Sequence, residues 1–307
     1  MTHGWWAVFR INNFLASLKC RRWNYPIEGC HCRLSATALY LSSLTSIVYV
    51  FIYFYFRRTL QVIIEESNFP AQPQWPFAIL QTYISNISIF YSAVLFFIIL
   101  PVVLHKYRWI RILCFLALLQ TLSIQFSNGN IYHGHHSLLF ISFLFIFLPS
   151  LSGPSFTRKS KYLYATVFMT CQLYIAMVYT LSGFWKVFYL LTEYEIAPSL
   201  YLQFHIANEW LMRGYLPSAA KWFFIYPSLG YGHIGVAGLF LFTGWAVFQP
   251  KLHRVWGFLL ILFHLSTEWI LDVSFGSHIM LVGIFFCASP FACLKWNFTK
   301  LRMPTRT

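Results

Sequence analysis

The chain has 307 residues, of which 58% are hydrophobic and 10% charged, whereas a soluble domain carries roughly 25% charged residues. Its formal net charge is +14, but the basic residues lie in short clusters between long apolar runs, not along one face or tail. This composition excludes a soluble globular domain and a nucleic-acid-binding protein, and it predicts an all-α, polytopic bundle of transmembrane helices in a lipid bilayer.

Eight apolar runs approach the length of about 20 residues that a helix needs to cross a bilayer. They predict membrane spans at 37–56, 77–104, 110–127, 131–149, 162–190, 232–248, 255–273 and 275–290. The domain organisation that follows is a cytoplasmic amphipathic N-terminal segment at 1–36, a transmembrane domain at 37–291 and a cytoplasmic basic tail at 292–307. An external loop at 192–231 is expected to hold short helices that lie on the outer surface.

The distribution of Lys and Arg predicts the orientation, because cytoplasmic loops carry an excess of both. With the N-terminus in the cytoplasm, 17 basic residues fall inside and only Arg57, Arg58, Arg213 and Lys221 fall outside. Both ends are therefore predicted to be cytoplasmic. The first ten residues show no charged start before an apolar stretch, so no removable signal peptide is predicted. The expected location is a bacterial inner membrane, or an endomembrane in a eukaryote.

Lys186 lies well inside the fifth predicted span and is the only Lys or Arg between Lys161 and Arg213. A charged side chain at membrane depth costs about 2.5–3.5 kcal/mol on insertion scales, so a compensating role is expected. Three interpretations stay open. Lys186 reaches the headgroups from a helix end, forms a structural ion pair with Glu268, or acts as a general base, since desolvation penalises the charged amine.

Other polar residues are predicted to lie in the same outer half of the bilayer. Helical spacing places Tyr179, Ser182 and Gly183 on the face of Lys186. The link between spans three and four carries His133, His135 and His136, and His278 opens the last span. In span seven, His264, Glu268 and Asp272 have the spacing i, i+4, i+8, which predicts one polar stripe.

These histidines do not fit a metal or haem site. The HxHH pattern of the link is a weak metal signal without a carboxylate at a known spacing. A haem held by His264 and His278 would need two histidine pairs facing each other at matched depth, and the sequence shows no such pattern. We therefore expect neither a metal nor a haem.

Three stretches carry a resemblance to a known family. They are HHSLLFISFLFIFLP in span four, YTLSGFWKV in span five and LILFHLSTEWILDVSFGSHIMLVGIFFCASP across spans seven and eight. The chain resembles, over roughly residues 35–291, the HTTM membrane domain. Vitamin K-dependent gamma-carboxylase and many bacterial proteins share that domain, including sporulation-delaying-type proteins that help mature peptide toxins.

The resemblance implies a helical bundle with a cavity facing the lumen or periplasm, and a lyase activity. In the carboxylase, a lysine deprotonates vitamin K hydroquinone, O2 then yields an epoxide and a strong base, and CO2 adds to a peptide glutamate. The G-x-x-K spacing of Gly183 and Lys186 matches the position of that lysine, so the resemblance implies that Lys186 is the base. His136, or else His135, matches a histidine near it, and His264 matches a recurrent histidine of the family.

The expected site thus has Lys186, His136 and His264 as catalytic residues. The expected substrate-binding residues are His133, His135, Tyr179, Ser182, Gly183, Glu268, Asp272 and His278. The expected cofactors are a vitamin K hydroquinone-like quinol, O2 and CO2, and the expected partner besides the lipid bilayer is a small secreted peptide or protein substrate. The alternatives are a non-catalytic accessory protein for maturation or export of a secreted peptide, and a haem or quinone electron carrier.

Overall fold

The computed structural model of the protein describes residues 30–65, 87–127, 133–149, 158–192, 198–217, 219–249 and 251–291. The chain divides into two compact units, Met1–Leu41 and Ser42–Thr307. The described part of the first unit is residues 30–41, which are helical. Most of the predicted segment at 1–36, and all of the tail at 292–307, lie outside the described residues.

Every regular element in these described ranges is a helix, which confirms the all-α fold class. The helices are α1 (Cys30–Glu65), α2 (Ile87–Leu104), α3 (Arg108–Ser127), α4 (His133–Phe145), α5 (Arg158–Thr192), α6 (Pro198–Arg213), α7 (Lys221–Ile225), α8 (Gly232–Ala246), α9 (His253–Leu271) and α10 (Gly276–Val282). A 3₁₀ helix covers Pro227–Tyr231, and a π-helical turn at Gly283–Cys287 continues α10.

Three of the helical stretches are long and apolar enough to cross a membrane, judged by length and composition. They are Arg108–Ser127, Leu163–Thr192 and His253–Leu271. Ile89–Leu104, Gly134–Phe145 and Gly276–Cys287 are shorter apolar helices. Each of the eight predicted runs contains a helix, and the predicted external loop contains α6, α7 and the 3₁₀ helix. This stretch therefore contains helices of 16 and 5 residues, and its external position stays a prediction.

An aromatic core joins α4, α5 and the π-helical turn. The ring centroids of Phe145 and Phe168 lie 5.7 Å apart, and those of Phe168 and Phe285 lie 5.5 Å apart. All three side chains are buried. Because each aromatic side chain removes about 150–250 Å² of surface from solvent, these contacts hold the last helix against α5.

The π-helical turn is held by a buried polar cluster. Gln172 Nε2 on α5 donates to the Phe285 carbonyl over 3.0 Å and lies 3.1 Å from His253 Nδ1. His253 Nε2 donates to the Val247 carbonyl over 2.8 Å, so Nδ1 is the acceptor of the ring, and Ser289 Oγ lies 2.8 Å from it. A π-helical turn shifts the backbone hydrogen bonds by one residue, so a carbonyl can lose its usual N–H donor. Gln172 supplies a donor to one such carbonyl, that of Phe285.

A buried cation ties together the ends of two other helices. Arg111, on the second turn of α3, is fully buried, and its Nη1 and Nη2 donate to the carbonyls of His105 and Leu148. These carbonyls lie just beyond the C-terminal ends of α2 and α4, where a helix leaves acceptors unsatisfied and carries partial negative charge. No carboxylate among the described residues forms an ion pair with Arg111. Two helix ends thus take the place of a counter-ion.

His105 joins the end of α2 to α1. Its Nε2 lies 3.0 Å from Ser42 Oγ, and its Nδ1 lies 3.3 Å from Ser46 Oγ. Burial lowers the pKa of His105, and the nearby charge of Arg111 adds to the effect. The folded protein therefore favours the neutral ring, in contrast to an unfolded chain, where the pKa of His is about 6.5.

This difference predicts acid sensitivity. The stabilising effect of neutral His105 is complete above about pH 6.5 and is lost as the pH falls below that value, because the unfolded state then binds a proton that the folded state resists. Thermal unfolding of the purified protein between pH 8 and pH 5 measures this. His105→Gln, which keeps hydrogen-bonding capacity without the titration, should flatten the profile; an unchanged slope would contradict the assignment.

Candidate functional site

Lys186 lies on the last third of α5, with uncharged groups around its amine. Its Nζ donates to Ser182 Oγ, one helical turn earlier, over 3.0 Å and lies 5.3 Å from the ring centroid of Phe240 on α8. The side chain is half-buried. No carboxylate of the described residues lies within ion-pair distance of it. The structure therefore does not contain the Lys186–Glu268 pair that one interpretation required, and Glu268 is exposed.

Gly183 allows α8 to approach Lys186. A Cβ added to Gly183 would overlap the backbone nitrogen of Leu241 and lie 2.8 Å from the Cβ of Phe240. A Cβ added to Gly244, further along α8, would lie 2.7 Å from Thr180 Oγ1. Small residues on both helices thus permit a close backbone approach, as is common between helices in membranes. This approach brings the Phe240 ring next to the amine.

We predict that Gly183→Ala destabilises the protein by about 2 kcal/mol, because the added methyl group has no space and the two helices must move apart. Gly238→Ala on α8 is the matched control, since a Cβ there would meet no atom within 4 Å. The control should be neutral or stabilising by up to about 1 kcal/mol from helix propensity. Thermal unfolding in detergent measures both, and equal shifts would contradict the close approach.

A buried tyrosine–histidine pair also lies next to Phe240. Tyr179 Oη on α5 and His264 Nε2 on α9 are 2.5 Å apart, and each side chain is only 3% exposed. The Phe240 ring contacts the Tyr179 ring edge-on at 5.0 Å between centroids. The ring of His278, on the first turn of α10, lies 5.7 Å from that of His264 and 6.0 Å from that of Tyr179. Four helices therefore contribute to one cluster.

One nitrogen of this cluster lacks a partner. His264 Nδ1 is buried and makes no hydrogen bond in the described part of the protein. If the Tyr179 hydroxyl donates to Nε2, the ring proton lies on Nδ1 and has no acceptor; in the other tautomer, Nδ1 is an acceptor without a donor. A buried unpaired polar group costs about 1–3 kcal/mol. This nitrogen can therefore donate or accept a further hydrogen bond, depending on the tautomer.

The histidines of the link point to different neighbours. His135 packs on Tyr55 and Phe56 of α1, with ring centroids 5.2 and 5.5 Å away. His136 packs on Phe126 of α3 at 5.1 Å. It also lines an apolar cavity of about 290 Å³ between α3, α4 and α5. The side chain of His133 is outside the described residues.

The residue of the link that reaches the cluster is Gly134. A Cβ added there would overlap Ser277 Oγ and lie 3.6 Å from His278 Cδ2. The N-terminal ends of α4 and α10 thus meet beside His278. The prediction for this link was based on its histidines, whereas Gly134, between His133 and His135, makes the contact with the cluster.

The predicted stripe along span seven does not extend to Asp272. Helix α9 ends at Leu271, and Asp272 adopts a left-handed conformation with φ of 53° as the residue that ends the helix. Its carboxylate accepts a hydrogen bond from the hydroxyl of Tyr215, in the turn after α6. His264 is buried in the cluster while Glu268 is exposed. The spacing i, i+4, i+8 assumed a helix that continues, and Asp272 lies beyond its end.

Phe240 and Phe275 were not singled out by the sequence. Phe240 lies near both Lys186 and Tyr179, and Phe275 packs on His264 with ring centroids 5.0 Å apart. Both lie in strongly aromatic surroundings in the sequence, where no local pattern marks them. No group of three or more His, Cys, Asp or Glu side chains within the described ranges is arranged to hold a metal ion.

No protein-family model matches the chain, and no curated protein or solved structure matches it either.

Proposed function

We propose that the protein is a multi-pass membrane protein that binds an amphiphilic, quinol-like substrate beside Lys186 and uses that lysine as a general base. The observation that carries the proposal is the environment of the amine. Lys186 lies in a helix long enough to span a membrane, and its described neighbours, Ser182 and Phe240, are uncharged. A charged group in such a place is costly, and function is a frequent reason to retain it.

The proposed topology has about eight spans with both ends in the cytoplasm. The three long apolar helices and the three shorter ones support a membrane location. The 17-to-4 distribution of basic residues supports the orientation. Under this topology the C-terminal third of α5, with Lys186, lies in the outer half of the bilayer. The substrate would then be reached from the outer leaflet or from the lumenal or periplasmic side.

The chemistry that these residues support is removal of a hydroxyl proton. The O–H bond of a bound quinol would break, with the proton passing to Lys186 Nζ and the electron pair remaining on oxygen. Ser182 Oγ positions the amine from one helical turn away. The unpaired His264 Nδ1 offers a hydrogen bond to a polar group of the substrate, and Tyr179 fixes the orientation of that ring. Phe275, which is 36% exposed, offers an aromatic surface for a flat ring.

The resemblance to the gamma-carboxylase membrane domain extends this proposal to a lyase of the carboxylase type. In that case O2 would convert the deprotonated quinol to its epoxide and a strong base. That base would take the γ-carbon proton of a glutamate in a small secreted peptide or protein, and CO2 would add to the resulting carbanion. His136 would then contribute through the apolar cavity that it lines, and not through contact with Lys186.

The test uses the purified chain in phosphatidylcholine vesicles with a reduced, isoprenyl-bearing naphthoquinone as the substrate. We expect O2-dependent formation of the quinone epoxide above the level of empty vesicles, detected by mass spectrometry. A chain that neither binds nor oxidises the quinol above that level would contradict the proposal.

The second candidate function is a non-catalytic accessory protein for maturation or export of a secreted peptide. The observation that favours it is the large apolar surface of the segment 198–231, where Leu211 is 82% exposed and Met212 is 80% exposed. The catalytic function requires the amine of Lys186, whereas the accessory function does not. Loss of peptide maturation or export on changes to this surface, with no effect of Lys186→Met, would favour the accessory function.

A further inference from the structure

The segment between α5 and α8 is folded, although it contains little core. It consists of α6, α7 and the 3₁₀ helix, here called the surface segment (198–231). Gln203 Nε2 on α6 donates to the Phe223 carbonyl on α7 over 2.5 Å, and Ile206 is buried. Gly214, with φ of 76°, ends α6, and the next residue, Tyr215, donates to Asp272 at the end of α9. These contacts fix the segment against the end of a spanning helix.

The outward side of the surface segment is apolar and aromatic. Its large apolar side chains with at least 42% exposure are Phe204, Trp210, Leu211, Met212, Tyr215, Trp222, Phe224, Ile225, Tyr226, Leu229 and Tyr231. No described part of the chain covers them. An apolar patch of this extent is uncommon on a surface that faces water, and it indicates contact with a membrane or a partner.

Two features favour the membrane. Tyr and Trp make up five of these eleven exposed residues, and both are enriched where a bilayer meets water, since each has an apolar ring and a polar group. Lys221 is an exposed cation in the described part of this segment, and its Nζ lies 5.8 Å from the centroid of the Trp222 ring. A lysine beside aromatic rings can extend its amine to lipid phosphates while its stem stays in the apolar layer.

The position of the segment also favours the membrane. Helix α8 packs antiparallel to α5, since Gly183 faces Leu241 and Gly244 faces Thr180. The end of α5 and the start of α8 therefore lie at the same end of this helix pair, and the surface segment lies there with them. Exposed aromatic residues continue onto the neighbouring helix ends, with Trp185 and Tyr189 on α5 and Trp269 on α9. A partner protein would have to bind a surface that is continuous with the lipid-facing side of the helices.

We infer that the surface segment lies in the interfacial layer of the bilayer, with the side chains of Leu211 and Met212 inserted among lipid chains and Lys221 at the phosphates. The occupant of the apolar surface is thus the lipid bilayer itself. The segment resembles interfacial amphipathic helices in using buried apolar area for adhesion and a cation for anionic headgroups.

The test is photo-crosslinking of the full chain in vesicles of phosphatidylcholine and phosphatidylglycerol. The photoreactive residue p-benzoylphenylalanine is introduced at Leu211 or at Met212, and the adducts are identified by mass spectrometry. Phe242, 56% exposed on α8, is the matched lipid-facing control. Gln249, exposed in the turn between α8 and α9, is the control for a polar position.

We expect phospholipid adducts at Leu211 and Met212 within about twofold of the yield at Phe242, and about fivefold above that at Gln249. Yields no higher than at Gln249 would overturn the inference. It would also be overturned if the main adduct were a polypeptide, either a second copy of the chain or a co-purified protein. None of these outcomes depends on the quinol chemistry proposed for Lys186.

Discussion

Lys186→Met is expected to reduce quinol turnover by about 10²–10⁴-fold, because a positioned general base contributes about that factor to a reaction. Methionine keeps an unbranched side chain of similar length, so its contact with Phe240 should survive and the protein should remain folded. The measurement is the rate of epoxide formation in vesicles, together with the melting temperature of the variant.

Lys221→Met is the matched control for this variant. Lys221 also lies near an aromatic ring, that of Trp222, but it is exposed on α7 and is not part of the cluster. Its turnover should match that of the unaltered protein. If both variants lose activity equally, the effect comes from charge at the outer surface; if neither does, Lys186 is not the base.

Arg111→Met is expected to destabilise the protein by about 3 kcal/mol, since two buried helix-end carbonyls each lose their donor at about 1–3 kcal/mol. Removing a buried charge recovers part of its desolvation cost, which can make such a replacement neutral when every partner is replaced. Here the acceptors, the carbonyls of His105 and Leu148, belong to the backbone and remain in place. The loss of their donor should therefore dominate. Thermal or denaturant unfolding in detergent measures the change.

Arg108→Met provides the comparison for Arg111. Arg108 opens the same helix but is exposed, so its replacement should change stability by less than about 0.5 kcal/mol. Equal destabilisation of the two variants would show that Arg111 acts through the shared positive charge of Lys106, Arg108 and Arg111. A stable Arg111→Met variant would show that the two helix ends need no donor.

The helices themselves could be predicted from the sequence because the signal is local. Long apolar runs bounded by basic clusters indicated α3, α5 and α9 within a few residues of their observed ends. The shared face of Ser182, Gly183 and Lys186 also followed from helical spacing alone, and Nζ of Lys186 does contact Ser182. Such inferences need one helix and no knowledge of its neighbours.

The features that could not be predicted from the sequence depend on packing between helices. Arg111 was counted among cytoplasmic charges, and its burial follows only when the ends of α2 and α4 converge on α3. Phe240 reaches Lys186 because Gly183 permits a close approach. Asp272 is compatible with two local structures. Asp tolerates the left-handed conformation better than most residues, so it can end a helix as well as extend its polar face, and here it ends α9.

The most direct test of the proposed site is the position at which a photoreactive, isoprenyl-bearing naphthoquinone labels the protein in vesicles. The account predicts labelling on the α5 peptide that contains Tyr179 and Lys186 or on the peptide from His264 to His278, with competition by the unlabelled quinone. Labelling confined to other helices, or labelling that excess unlabelled quinone does not reduce, would contradict it.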